Sequence, residues 1–381
     1  MSGATLWRGG AVFDGVRLHQ RHAVLVEHGR IVAIGPEEAL TGRGEPREAG
    51  GDILAPGFVD LQVNGGGGLM LNDAASPDDV AAIARAHLAI GTGHLLPTLI
   101  SDTAAVTERV IDAVARAIAA RTPGVAGLHL EGPHLAPARA GAHDPAHLRP
   151  MTRADRDRLV AARKRLPALL VTLAPEAASR EDVAVLARAG ITVALGHTEA
   201  DHTTALAYFA ARARAVTHLF NAMPPLLHRA PGLIGAALDS PGVAAGLIAD
   251  GHHVHPAAMG AAVRAARGGV FLVSDAMAPA GTMLDRFDLG GRDIHRRGGK
   301  LVLADGTLAG ADLDLGRAVR LLAETVGVTL EAALAMATSV PARVAGLDDA
   351  AGRLCPGAAS LIRYDPATGT AVPLLPELQT V

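Results

Sequence analysis

The chain has almost no cysteine: Cys355 is the single one among 381 residues. That excludes an intramolecular disulfide and makes a reducing, cytoplasmic setting the simplest expectation. Lysine is nearly missing too, occurring only at Lys164 and Lys300, so arginine carries the remaining positive charge. The formal net charge of -3 leaves no basic excess, and neither nucleic acid nor an anionic membrane is an expected partner. Apolar runs such as residues 243–249 are far too short to span a bilayer. The first ten residues lack a charged stretch followed by an apolar one, so no signal peptide is expected. No G-x-x-x-x-G-K loop occurs, which argues against a nucleotide-phosphate binder, and no G-x-G-x-x-G follows the first strand to open a helix.

What is present is an ordinary globular composition, 49% hydrophobic and 19% charged. The length exceeds the usual limit of a single core and implies one large domain with a smaller one. The first fifty residues read as short strands, with a hairpin over 23–26 and 30–34 turning at Glu27-His28-Gly29. A second strand-like stretch lies at 357–364, and 373–381 reads as irregular. Between the ends, short apolar strands alternate with amphipathic helices. Strands are expected at 58–63, 127–130, 192–195, 215–218, 246–248 and 270–273. Helices are expected at 77–90, 104–120, 180–189, 203–214, 256–267 and 314–326. Repeated strand–helix units imply a parallel sheet with helical crossovers, either doubly wound or closed.

The polar residues decide between those two. Glu131 follows the strand ending His129-Leu130, and His197 follows Ala194-Leu195-Gly196. His218 follows Ala215-Val216-Thr217, and Asp275 follows Val273-Ser274. Polar side chains at the C-terminal ends of several strands are how a (β/α)8 barrel builds a site. The expected fold is therefore α/β, a (β/α)8 TIM-like barrel over residues 56–349. Residues 1–55 and 350–381 form a small β-sandwich domain. One carboxylate and two imidazoles, Glu131, His197 and His218, suit a catalytic zinc-like ion that keeps a position open for water. Asp275 then suits a general base that later returns a proton to a leaving amine. Any one of these residues alone reads more simply as a helix cap or a satisfied structural histidine; the four together favour a metal site.

Several segments, in order along nearly the whole chain, resemble the N-acetylglucosamine-6-phosphate deacetylase family of the amidohydrolase superfamily. They are Pro56-Gly57-Phe58-Val59-Asp60, His129-Leu130-Glu131-Gly132-Pro133, Gly141-Ala142-His143-Asp144-Pro145, Leu195-Gly196-His197-Thr198 and Thr217-His218-Leu219-Phe220-Asn221-Ala222-Met223. Ile248-Ala249-Asp250-Gly251, Ser274-Asp275-Ala276 and Asp305-Gly306-Thr307-Leu308-Ala309-Gly310 complete the set. The resemblance implies hydrolysis of the acetamido group of N-acetylglucosamine 6-phosphate to glucosamine 6-phosphate and acetate. It implies Glu131, His197 and His218 as metal ligands, Asp275 as the acid/base, and His143 beside the acetamido carbonyl. The sugar phosphate would meet His253, backbone amides at Asn221 and Ala222, and Arg229 from the second subunit of a homodimer. Ala142, Leu308, Ala309 and Gly310 would border the sugar.

Many amidohydrolases carry His-x-His after the first strand and bind two metals; this chain has Gln62-Val63-Asn64. Neutral amides are poor zinc ligands, so one divalent ion per subunit is expected, zinc first, with iron, manganese and cobalt also compatible. Arg139 stands where lysine is common in the family. The alternatives are another single-metal amidohydrolase acting on a different N-acyl amine, and a non-catalytic scaffold of the same fold. The scaffold would have a damaged ligand set, whereas all four residues are present here.

Overall fold

The computed structural model describes residues 3–375; the irregular stretch expected at 373–381 lies outside them from residue 376 on. Eight parallel strands form the central sheet. In chain order they are β1 (Phe58–Val63), β2 (Thr92–Ile100), β3 (Leu128–Glu131), β4 (Leu169–Leu173), β5 (Thr192–Leu195), β6 (Ala215–Val216), β7 (Ala244–Leu247) and β8 (Val270–Leu272). Each pairs with its sequence neighbour. The circle closes just past the strand ends, where Val63 bridges Ala276 and the Asp275 N–H donates to the Gln62 carbonyl at 3.0 Å. The (β/α)8 barrel is thus as expected from the sequence. β2 and β4 were not among the strands read there, and β2 carries both Gly93 and Pro97, residues that ordinarily argue against a central strand.

Alternation along the strands sorts side chains between inside and outside. In β3, Leu128 and Leu130 join the apolar cluster shared with the helices. His129 and Glu131, on the other face, point inward, and His129 Nε2 lies 2.8 Å from Thr172 Oγ1 of β4. Helices Pro77–Leu88, Arg153–Arg163 and Arg180–Arg188 begin with Ser76, Thr152 and Ser179 in capping boxes with Asp79, Asp155 and Asp182. Each box satisfies otherwise orphaned N–H groups and fixes where the chain leaves its strand–helix loop.

The terminal segments meet in a seven-stranded sheet, in which Ile362–Tyr364 pairs antiparallel with Ile53–Ala55. The expected hairpin is Leu18–Glu27 with Arg30–Pro36. His28 and Gly29 at its turn both have positive φ, which matches the strand twist. A third sheet, four antiparallel strands over Arg286–Leu289, Arg292–Arg297, Lys300–Val302 and Leu308–Ala311, was not expected. Its last strand bridges Ala276 through Ala311 and so hangs the 303–307 turn and the start of that strand over the end of β8. No helix among the described residues is long and apolar enough to cross a membrane.

Candidate metal and hydrolytic site

At the C-terminal mouth of the barrel the backbone departs from ordinary geometry. Among the described residues nine non-glycine residues have positive φ, and five of them stand here: His197, His218, Phe220, Ala222 and Asp275. The left-handed region is costly for residues with a Cβ and persists where the surroundings over-determine it. At His197 (φ 49°), His218 (φ 27°) and Asp275 (φ 51°) it falls on three of the four residues singled out in the sequence.

Their side chains converge. Glu131 Oε1 lies 3.3 Å from His197 Nε2 and 3.1 Å from His218 Nε2, and the two Nε2 atoms are 3.0 Å apart. Tetrahedral arms of about 2.0–2.1 Å would separate ligand atoms by about 3.3–3.4 Å, close to this triangle. His143 stands beside it, with Nε2 3.6 Å from Glu131 Oε2, and Glu131, His143 and His197 also form a geometrically plausible ligand group.

Hydrogen bonds distinguish the two neighbouring imidazoles. His197 Nδ1 faces the Arg139 carbonyl at 2.8 Å; a carbonyl only accepts, so Nδ1 carries the proton and Nε2 offers a lone pair. His143 is the reverse. The Ser101 N–H donates to its Nδ1 at 3.1 Å, so in the neutral ring the proton sits on Nε2, which is a donor. Burial, above all, pushes the His143 pKa down to about 4 and keeps the ring neutral. Burial opposes the charge on Glu131, but the imidazoles packed against its carboxylate, the His143 Nε2–H first, outweigh it and hold its pKa well below the usual range.

Asp275 is buried and differently held. Its Oδ1 accepts from Asn64 Nδ2 at 2.7 Å and from Gln62 Nε2 at 3.1 Å; Gln62 also donates to Glu131 Oε1 at 3.1 Å. Gln62 and Asn64 therefore occupy the first-strand positions as donors that fix two carboxylates. Burial, then the Glu131 charge, raises the Asp275 pKa.

The cavity above these groups measures about 270 Å³. Of the expected substrate contacts, Ala142, His143, Asn221, Ala222, His253, Leu308 and Gly310 line it. Ala309 does not; it is packed in an apolar cluster with Met70, Met277 and Ile294. Arg229 does not either, and stands exposed on the 225–230 loop. The Asn221 N–H already donates to the His218 carbonyl at 2.9 Å, whereas that of Ala222 has no acceptor among the described residues. Of the two amides expected to meet the phosphate, that of Ala222 is thus the one left without an acceptor. His253 Nδ1 is held by Asp250 Oδ2 at 2.6 Å. Arg139 pairs with Glu199 instead of lining the cavity. Sequence reasoning missed Ser101 and the orienting role of Asp250. It also missed the wall residues Ile100, Met277 and Thr307. Only Asp250 and Thr307 carried a signal, through the segments that hold them.

Residues 53–366 match the model described as the amidohydrolase family. The chain is 42% identical over 290 residues to the N-acetylgalactosamine-6-phosphate deacetylase of Shewanella sp. (strain ANA-3), covering 76% of this chain and 73% of that one. It is 38% identical over 326 residues to the N-acetylglucosamine-6-phosphate deacetylase of Homo sapiens, covering 82% and 80%. Among solved structures, N-acetylglucosamine-6-phosphate deacetylase from Pasteurella multocida superposes with a TM-score of 0.91 at 28% identity, over 98% of both chains.

Proposed function

The chain belongs to the amidohydrolase family, and on that premise we propose that it hydrolyses the acetamido group of an N-acetyl amino sugar 6-phosphate to acetate and the free amine. The observation that carries this reading is the triangle of Glu131 Oε1, His197 Nε2 and His218 Nε2, with Asp275 joined to it through Gln62. These three residues would hold one divalent ion. His143 is left out of the ligand set because its Nδ1 accepts from Ser101 and its Nε2 bears the proton. When bound, such an ion polarises the amide carbonyl and acidifies water to about neutrality; zinc leads, and iron, manganese and cobalt suit the same donors.

The chain's own groups do the rest. Asp275 takes a proton from the attacking water on Oδ2, its Oδ1 being pinned by Asn64 and Gln62. It returns that proton to the departing nitrogen, a step eased by a pKa already raised by burial. His143 Nε2–H donates to the carbonyl oxygen as negative charge develops there, which is worth about 3–4 kcal/mol for a good donor. His253, oriented by Asp250, and the Ala222 amide receive the phosphate. Arg229 completes that site from a second copy of the chain; two exposed leucines on its loop, Leu226 (49%) and Leu227 (52%), suit burial in such an interface. The setting is cytoplasmic in this reading, with Cys355 free.

Acetate release from N-acetylglucosamine 6-phosphate and from N-acetylgalactosamine 6-phosphate, measured with bound-metal content, tests it. The gluco sugar is the substrate favoured here. The galacto epimer is the second reading, because the relative at 42% identity is named for it. Release from neither, at about one metal per chain, would overturn the deacetylase assignment.

A further inference from the structure

The opposite, N-terminal mouth of the barrel opens into a larger cavity of about 470 Å³. Among the described residues three arginines from two separate elements line it, and no carboxylate does. Arg212 and Arg214 come from the segment entering β6; both are exposed, while Ala213 between them is fully buried. Arg343 comes from the helix Ser339–Val344, which is tied across the cavity by the Thr192 hydroxyl donating to the Val344 carbonyl at 3.2 Å. Among the described residues none of these three side chains has a hydrogen-bond or ion-pair partner. A fourth, Arg163, borders the rim with Nε on the Gly190 carbonyl at 2.8 Å, again with no acid.

Other arginines that share a pocket or a helix face with an acid are paired, as Arg149 and Arg158 are with Asp155. Unpaired like charges around one hollow repel each other, and a ligand anion relieves that. Helix C-termini end at this mouth and welcome cations, but each carries only about half a negative charge. No helix carbonyl accepts a bond from Arg212, Arg214 or Arg343, so the dipoles leave most of the positive charge uncompensated. The volume falls in the range of small-molecule sites, about 300–1,000 Å³. The lining holds no aromatic ring on which a base could stack. Guanidinium forks match phosphate oxygens.

We propose that the cavity at the N-terminal mouth binds a small phosphorylated metabolite through Arg212, Arg214 and Arg343, separately from the hydrolytic site. Isothermal titration with inorganic pyrophosphate and with glucose 6-phosphate, on the wild type and on an Arg212→Gln/Arg343→Gln double variant, tests this. The wild type should bind at least one of them at sub-millimolar concentration, less tightly as salt rises. The double variant should bind at least tenfold more weakly at this site, with its unliganded Tm unchanged. Tighter binding of pyrophosphate would identify a bare polyphosphate ligand, and tighter binding of glucose 6-phosphate a sugar phosphate. No binding by the wild type overturns the proposal. So does equal affinity and stoichiometry in the double variant, which would put the anion at the other mouth. Loss of binding together with a fall in Tm would make the arginines dipole complements and overturn it as well. Turnover is not the readout, so failure of the deacetylase reading leaves this result interpretable.

Discussion

The two mouths of the barrel are built from the same eight strands and hold charge in opposite ways. At the C-terminal mouth Glu131, His143, His197, His218 and Asp275 are all buried, and each is oriented by neighbours within hydrogen-bond reach. At the N-terminal mouth the arginines are exposed and unpaired. Buried polar groups raise the cost of any misplacement, which is what a site needs if it is to meet charge that develops only in a transition state. Exposed guanidiniums keep rotamer freedom and suit recognition of a ground-state anion, with no such demand on geometry. Left-handed backbone also gathers at the catalytic mouth, on five of the nine described non-glycine residues that have it, while Arg212 (φ 81°) is the one cavity arginine that shares it.

The comparison is most easily broken at Asp275. Asp275→Asn keeps the size and the Asn64 and Gln62 neighbours but cannot carry the proton. Turnover should fall by on the order of 10³-fold with bound metal retained. Near wild-type turnover would remove Asp275 from the acid/base role, and metal loss would make it a ligand. Next comes His143. His143→Ala should lower kcat by about 10²-fold with little change in metal content, since Nε2 is assigned as a donor. If the metal were lost, the ligand group would be Glu131, His143 and His197 after all.

Much of the catalytic mouth was legible because strand alternation and strand-end position are written locally. Glu131, His197, His218 and Asp275 each follow a short apolar run, and all four arrive in one place. What was not legible depends on partners far apart in sequence. Ser101 is an ordinary serine until His143, forty-two residues on, needs an acceptor nitrogen fixed. Gln62 and Asn64 read as the wrong residues for metal and turn out to be donors to Asp275. The four-stranded sheet was missed because its first three strands are short and rich in charge, with few residues fully buried. Its turns, Gly290-Gly291 and Gly298-Gly299, all at positive φ, are nevertheless hairpin signals. β2 was hidden by Gly93 and Pro97; Gly93 is required where Ser360 leaves no room for a Cβ.

Arg229 separates the two kinds of charge again, because it is exposed like the N-terminal arginines yet assigned to the phosphate at the catalytic mouth. Arg229→Ala should raise KM by about 10- to 100-fold, as expected for a hydrogen-bonded charge worth about 1.5–3 kcal/mol, while kcat changes less. An unchanged KM would return Arg229 to the class of solvated loop residues. The oligomeric state of the same variant, by light scattering, reports whether its loop also holds two copies together.

The smallest effect on activity, and the finest test of burial, concerns Asp60 at the foot of the catalytic layer. It is fully buried, its Oδ1 accepts from the Gln62 and Ser274 N–H groups, and its Oδ2 has no partner. Burial, only partly offset by those hydrogen bonds, raises its pKa from 3.8 to about 7. The folded state therefore binds the proton more tightly than the unfolded chain. That contribution to stability is complete below the unfolded pKa, near 4, and is lost as pH rises through about 7, a change on the order of 4 kcal/mol. Urea unfolding of metal-stripped protein between pH 4 and 7 should show this decline. Asp60→Asn, which cannot ionise, should flatten it. An equal slope in both proteins would mean that the carboxylate is solvated or paired, and that burial at this mouth is less complete than at the strands beneath it.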